Sequence, residues 1–285
     1  MKDFLINING QIHNGPEARI SVFDRGFLYG DSVYESTRTF NRKPFRIHQH
    51  IDRLFLSAEK ISLLPTYSKE QILSEVLKTI KASPCSDLTI RIVLTRGTNT
   101  DLGLDTDLSG DNNLIIFTKE IKPNPAWWLT DGVSMIFYQK KIEVSGSLPK
   151  TGNYQENILG NREAHQQKAY DAFMINTFGF VTEGTTSNAW IIKDGTLYTP
   201  PLSDGVLDGL TRKTLFEMAK RQKLSLPLVE KRLTPEDFKN ADECFITSTT
   251  RNIVPVTKIE ERNIGPGIPG RITLELLRIY LEFVN

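Results

Sequence analysis

Two cysteines, Cys85 and Cys244, are too few to build a disulfide framework in a chain of 285 residues, and they suit a reducing compartment. Both are expected to pack as small hydrophobes. No apolar run approaches the ~18 residues that a membrane span needs, so no membrane partner is expected. The amino end, Met1-Lys-Asp-Phe-Leu-Ile-Asn7, reads as a first strand rather than a signal peptide, and a cytoplasmic location is expected. Neither sign of charge is in excess: 35 Lys and Arg against 34 Asp and Glu leave +1, which advertises no nucleic acid. G-x-S-x-G, Walker A and C-x-x-C patterns are missing, and with them the support for serine hydrolase, P-loop or zinc chemistry. Gly265-Pro-Gly-Ile-Pro-Gly270 fits G-x-G-x-x-G by letter, but its prolines remove N–H groups that a pyrophosphate needs. His48 and His50 lack a supporting Cys/His cluster and read as surface or capping residues, so no metal is expected.

What is present is ordinary globular material, 39% hydrophobic and 24% charged, long enough for two domains. Phe4–Asn7 and Gln11–His13 flank Asn9-Gly10 and predict a hairpin. A turn at Asp24-Arg-Gly26 leads to a strand over 31–40, and Asn41–Pro44 turns the chain into Phe45–Ile47. Ile51, Leu54, Phe55, Ala58 and Ile61 share a helical face, and a second helix is predicted over 69–81. Strands follow at 88–95 and 114–117, separated by an acidic loop, 101–113, read as mobile surface. Lys122-Pro-Asn-Pro is the candidate linker, which divides the chain into 1–121, a linker 122–130 and 131–285. Beyond it the pattern predicts a helix at 157–167, a strand meander at 172–198, a helix at 212–223 and an N-cap at Thr234-Pro235. A strand at 244–247 and a closing helix at 271–284 complete it. Strands and helices mix without regular βαβ alternation, so the fold class is α+β.

Three segments carry chemistry. Lys150 sits in a loop between Ser145-Gly-Ser-Leu-Pro149 and Gly152-Asn-Tyr154; most lysines are solvated charges, but one held in a confined loop can form a Schiff base with an aldehyde. Lys140 and Lys141 compete, on an apparent preceding strand and without the Gly-Asn-Tyr context. Glu183 ends a strand just before Gly184; it could merely cap the turn, or its carboxylate could hold a pyridine nitrogen protonated. Gly209-Leu-Thr211 opens a helix whose free N–H groups favour a phosphate. Taken together, these chemistries describe a pyridoxal 5′-phosphate (PLP) site.

Five motifs, in order, resemble those of the class IV (fold type IV) PLP-dependent aminotransferases. They are Asp24–Glu35, His50-Ile-Asp-Arg-Leu-Phe-Leu-Ser57, the lysine loop, Glu183–Asn188 with its downstream hairpin, and Thr247–Val256. The resemblance implies a small amino-terminal and a larger carboxy-terminal α/β domain with PLP in the cleft between them, working as a homodimer on amino acid and 2-oxo acid substrates. It implies that Lys150 carries the cofactor and moves the substrate proton, and that Tyr154 bonds the ring oxygen while Glu183 holds the ring nitrogen. Arg53, Leu210, Thr211, Thr249 and Thr250 would hold phosphate. Tyr29, Tyr34, Arg38 and Arg91, with Thr249 and Thr250, would face substrate.

Three activities share that scaffold: L-branched-chain transamination, D-amino acid transamination and 4-amino-4-deoxychorismate lysis. Tyr34-Glu-Ser-Thr-Arg38 and Gly152-Asn-Tyr154 resemble the branched-chain group. Lys150-Thr-Gly-Asn153 is one residue shorter than that group's K-x-x-G-N-Y, and Thr89-Ile-Arg91 lacks its Tyr-x-Arg. Thr95-Arg-Gly-Thr98 resembles the other two groups, yet Asn99-Thr-Asp-Leu-Gly103 stands where D-amino acid enzymes carry Arg-Asn-His, and the lyases lack an equivalent of Glu35. L-branched-chain transamination is narrowly ahead, with the other two as alternatives.

Overall fold

The computed structural model describes residues 3–141, 146–224 and 226–284; Ser145, read as part of the lysine loop, lies outside them. Contacts group the chain into two compact units. One holds Met1–Lys122 and also Pro149–Asn153; the other holds Pro123–Leu148 and Tyr154–Asn285. The division falls inside the segment read as a linker, and the lysine loop is grouped with the first unit.

The first unit contains β1 (Phe4–Ile8), β2 (Gln11–Asn14), α1 (Arg25–Tyr29), β3 (Ser32–Phe40), β4 (Lys43–Pro44), α2 (Ile47–Lys60), α3 (Lys69–Ala82), β5 (Leu88–Thr95) and β6 (Leu114–Glu120). Its six strands form one sheet in the order β2-β1-β6-β5-β3-β4. The first hairpin turns at Asn9 and Gly10, both at positive φ (51° and 89°), as a two-residue turn matched to strand twist requires. Along β3, Val33, Glu35, Thr37 and Thr39 are buried while Tyr34, Ser36, Arg38 and Phe40 are half-buried, so two faces are sorted by the strand's period of two. Ile51, Leu54 and Ala58 of α2 close a core with Ile72, Val76 and Ile80 of α3 and the inward residues of β5. Ser68 caps α3 and Gln71 returns the bond, a reciprocal arrangement that satisfies two otherwise orphaned donors.

Three local readings change. Asp24-Arg-Gly26 is not a simple turn: the Asp24 carboxylate accepts from the N–H groups of Gly26 and Phe27 and starts α1. The segment 101–113 is tied down, since Arg25 donates to the Gly103 carbonyl at 3.1 Å and the Tyr29 hydroxyl donates to that of Leu102. His50 is wholly buried rather than superficial, because Glu35 on the inward face of β3 receives its ring.

The second unit contains α4 (Trp127–Thr130), β7 (Val133–Gln139), α5 (Gln155–Gln166), β8 (Asp171–Ile175), β9 (Val181–Gly184), β10 (Asn188–Lys193) and β11 (Thr196–Thr199). After these come α6 (Leu210–Lys220), β12 (Leu228–Glu230), α7 (Pro235–Lys239), β13 (Glu243–Ser248), β14 (Asn252–Ile259), β15 (Arg262–Asn263) and α8 (Arg271–Val284). The sheet order is β12-β11-β10-β13-β14-β7-β8-β9, and β9 also pairs with β10, so the sheet curls until its run from β10 to β9 closes on itself. Closure removes strand edges and encloses a core in which Phe173, Phe238, Val254 and Ile259 meet Trp128 of α4. Trp190, Leu215, Met218, Leu276 and Tyr280 make a second core that seats α6 and α8 on the sheet. Lys140 and Lys141 lie beyond the end of β7 rather than on it.

At Gly265–Gly270, the mouth of α8 is filled from within the chain. Glu243 accepts from the N–H groups of Ile272 and Thr273, and a Cβ on Gly270 would fall 2.0 Å from its carboxyl carbon. A carboxylate already occupies the seat that a pyrophosphate would need. No helix among the described residues is long and apolar enough to cross a membrane.

Candidate active site

In the first unit Lys150 is placed by its backbone. Its carbonyl accepts from Tyr34 N at 2.9 Å, its own N–H donates to Ser57 Oγ at 3.1 Å, and Gly152 N donates to Ser32 O at 2.9 Å. The loop therefore runs as a short antiparallel partner to the start of β3, with Thr151 bridged to Val33. Glycine at 152 permits this close approach, since a Cβ there would lie 2.5 Å from Ser32 Oγ and 3.1 Å from the Gly30 carbonyl and would force those neighbours to shift. Tyr34 then gathers two cations: Lys150 Nζ lies 4.4 Å, and the Arg91 guanidinium carbon 4.8 Å, from its ring centroid. Arg91 also donates to Ser36 Oγ at 3.4 Å.

Other expected substrate residues stand apart from this cluster. Arg38 shares the Tyr34 face of β3, but its guanidinium covers Phe40 at 4.2 Å and its Nε donates to the Thr39 carbonyl. Tyr29 lies on α1 against Arg25 and Leu102.

On the opposite, buried face of β3, Glu35 receives Arg53 Nε at 2.6 Å, Arg53 Nη2 at 2.7 Å and His50 Nδ1 at 2.7 Å. Burial alone would raise the Glu35 carboxyl, but the charge and hydrogen bonds of Arg53, with those of His50, hold it down to about 2. Burial lowers His50; Glu35 opposes that, and the positive charges of Arg53 and Lys150 reinforce it. Burial thus favours the neutral imidazole, and its Nε2 is buried with no hydrogen-bond partner among the described residues. Glu35, His50 and Ser57 belong to motifs visible in the sequence, yet their roles as supports come only from their register across β3 and α2.

In the second unit Tyr154 is the N-cap position of α5, and Glu183 is 8% exposed on β9, where it pairs with Asn188 of β10. Both residues fix Leu207: its N–H donates to Glu183 Oε2 at 3.1 Å, and its carbonyl accepts from Asn188 Nδ2 at 2.9 Å. That contact sets the approach to α6, whose first residues are Leu210 and Thr211. Gly209 precedes them and no side chain among the described residues caps the helix there; Thr211 Oγ1 is buried with no hydrogen-bond partner among those residues. Thr249 and Thr250 lie in the tight turn joining β13 to β14. Asp171, which no motif pointed to, ties α5 to the Glu183–Asn188 turn: its Oδ1 accepts from Thr185 Oγ1 at 2.6 Å and Asn161 Nδ2 at 3.3 Å. Asn157 adds a bond to the Thr185 carbonyl at 2.7 Å.

Comparison with known proteins matches this arrangement to one family. The profile of the class IV amino-transferases covers residues 32–259. A provisionally named branched-chain-amino-acid aminotransferase of Methanocaldococcus jannaschii is 37% identical over 95% of this chain and 93% of its own length. A D-alanine aminotransferase of Listeria monocytogenes is 32% identical over 98% and 95%. Among solved structures, a T.th. branched-chain amino acid aminotransferase with pyridoxamine 5′-phosphate superimposes with a TM-score of 0.89 at 26% identity, over 98% of this chain and 93% of that one. The chain belongs to the class IV aminotransferases and is a PLP-dependent transaminase.

Proposed function

We propose that this transaminase moves the amino group between an L-branched-chain amino acid and a 2-oxo acid. The mouth of α6 supports this reading: Thr211 Oγ1 is buried with no hydrogen-bond partner among the described residues, at the start of a helix that no side chain caps, which suits a phosphate. Bound there, PLP supplies an electron-accepting ring that makes loss of a substrate's Cα proton feasible. Glu183 keeps the ring nitrogen protonated, and Tyr154 donates to the ring oxygen. Leu210 and Thr211, with Arg53, Thr249 and Thr250, hold the phosphate. Lys150 carries the cofactor and moves the proton at Cα as general base and acid. Tyr34 and Arg91, already beside Lys150, face substrate together with Tyr29, Arg38 and the two threonines.

The substrate reading leans on the Methanocaldococcus relative and on Tyr34–Arg38; the Listeria relative and Thr95–Thr98 favour a D-amino acid instead. A homodimer in the cytoplasm completes the proposal.

Absorption spectra of PLP-loaded protein test it, with L-leucine and D-alanine added separately and no oxo acid present. Loss of the PLP band with gain of pyridoxamine absorption for L-leucine alone is the expected result. Conversion by D-alanine alone would reassign the enzyme to D-amino acids. Conversion by neither would bring the lyase reading forward.

A further inference from the structure

Arg25 opens α1 and is 3% exposed, so its guanidinium acts inside the first unit. Nε donates to Asp31 Oδ2 at 2.9 Å, Nη1 to the Gly103 carbonyl at 3.1 Å and Nη2 to the Leu104 carbonyl at 3.4 Å. The preceding carbonyl, that of Leu102, takes the Tyr29 hydroxyl. Three consecutive carbonyls therefore turn toward α1, while the side chains of Leu102 and Leu104 stay exposed. Tyr29 is held by its ring and by its hydroxyl. The ring centroid lies 5.1 Å from the Arg25 guanidinium carbon, and the hydroxyl sits on the segment that Arg25 grips.

Asp31 anchors this clasp. Besides Arg25 it receives Arg96, whose Nε donates to Oδ2 at 2.7 Å and whose Nη2 donates to Oδ1 at 3.1 Å. Burial alone would raise the Asp31 carboxyl, but the hydrogen bonds and charges of Arg96 and Arg25 hold it below its ordinary 3.8, and it stays ionised at neutral pH. Arg96 in turn donates to the carbonyls of Ile61 and Ser62, just past the end of α2. The same stretch meets the lysine loop. A Cβ on Gly30 would fall 2.4 Å from Asn153 Oδ1, and the Ser32 carbonyl accepts from Gly152 N. In sequence, Tyr29 therefore adjoins both the contact with the lysine loop and the anchor of the clasp.

Each guanidinium nitrogen of Arg25 donates within the chain, so the residue is placed to orient other groups and not to touch a reactant. We infer that Arg25 is a positioning residue for substrate binding, which acts through the Leu102–Leu104 backbone and Tyr29. The inference rests on the proposed placing of Tyr29 toward substrate and adds the contact that keeps the phenol there. A planar fork is required: a single ammonium cannot serve the Asp31 carboxylate and two separate carbonyls in fixed directions.

The test compares PLP-loaded wild type, Arg25→Gln, Arg25→Lys, Tyr29→Ala and the double variant Arg25→Gln/Tyr29→Ala, with thermal melts to verify folding. The amino donor is whichever of L-leucine and D-alanine wild type converts. Its kcat and KM are measured, together with PLP affinity and amide hydrogen exchange across residues 99–110. In Arg25→Gln, KM should rise about tenfold or more, with kcat and PLP affinity within about twofold of wild type and faster exchange in the loop. Arg25→Lys keeps the charge but loses the fork, and should show the same changes at smaller size; it carries the test if the glutamine variant does not fold. Tyr29→Ala should itself raise KM, and adding Arg25→Gln to it should change KM by less than about twofold, because residues that act through one another are not additive. A merely structural Arg25 would lower kcat and PLP affinity as well, or multiply its effect onto Tyr29→Ala. Either result overturns the inference, as does an unchanged KM or unchanged exchange in Arg25→Gln. If Tyr29→Ala leaves KM at the wild-type value, the placing of Tyr29 toward substrate is wrong and the inference falls with it. If wild type converts neither donor, the proposed reaction fails and exchange decides: faster exchange in Arg25→Gln upholds the clasp, and unchanged exchange removes it.

Discussion

Arg53 donates two hydrogen bonds to Glu35, one to each carboxylate oxygen, and neither side chain is more than one-tenth exposed. A fork-to-carboxylate pair of this kind fixes direction as well as distance. It locks α2 to β3, the strand whose other face carries Tyr34. Glu35→Gln keeps the shape and removes the charge, leaving Arg53 buried without its counter-ion. The expected loss is roughly 3–5 kcal/mol of folding stability. Urea unfolding would measure it; a loss within the range of an exposed surface pair would show that water reaches and relieves Arg53.

Acid should destabilise the protein in two stages. His50 is held below its ordinary 6.5 and Glu35 below its ordinary 4.5, so the folded chain carries fewer protons at these groups than the unfolded chain. Stability from both is complete above 6.5. It begins to fall as pH drops below 6.5 through His50, and falls further between 4.5 and about 2 through Glu35. The urea midpoint followed against pH should decline in that order. His50→Gln should flatten the first stage and leave the second. A midpoint that rises on acidification would contradict the assignment of a neutral buried imidazole.

Periodicity made much of this fold legible. The strand at 88–95, the closing helix at 271–284 and the Thr234-Pro235 cap stand where local pattern puts them, because each satisfies its own propensity. What stayed hidden depends on partners remote in sequence. The turn motif at Thr247–Val256 does not reveal the full length of β14, and the closure of β9 onto β10 cannot be seen in a four-residue strand. The same holds at the site. Lys150, Glu183 and Thr211 are assigned from local context alone, whereas the burial of His50 depends on β3 setting Glu35 against it. Asp171 carries no local signal; its place as a tie comes from the Glu183–Asn188 turn, remote in sequence, that its carboxylate reaches.

Gly209 should be intolerant of a side chain. A Cβ there would fall 1.9 Å from Asn188 Oδ1, the amide that also fixes Leu207 ahead of α6. Gly209→Ala must push Asn188 aside and displace the first turn whose N–H groups are assigned to phosphate. We expect PLP affinity, titrated into apoprotein by absorbance, to weaken by about tenfold or more, worth about 1.4 kcal/mol. The melting temperature of the apoprotein should change much less. Undiminished affinity would mean the phosphate is held elsewhere.

Lys150→Ala tests chemistry separately from architecture. The contacts that place this residue, to Tyr34 N and Ser57 Oγ, use its main chain and survive loss of the side chain. Alanine should therefore keep the loop and the melting behaviour while turnover disappears, since the amine assigned to move the proton, set over the Tyr34 ring, is removed. Gly152→Ala is the complement. Its added methyl meets Ser32 Oγ at 2.5 Å and shifts the loop with the lysine chemically intact. A fall of about tenfold or more in kcat is expected there, because small misplacements of a reacting group cost that much. Should Lys150→Ala keep substantial turnover, the assignment of the catalytic amine would fail whatever Gly152→Ala does. If Lys150→Ala is dead and Gly152→Ala fully active, the amine is right and the strict placement of its loop is not required.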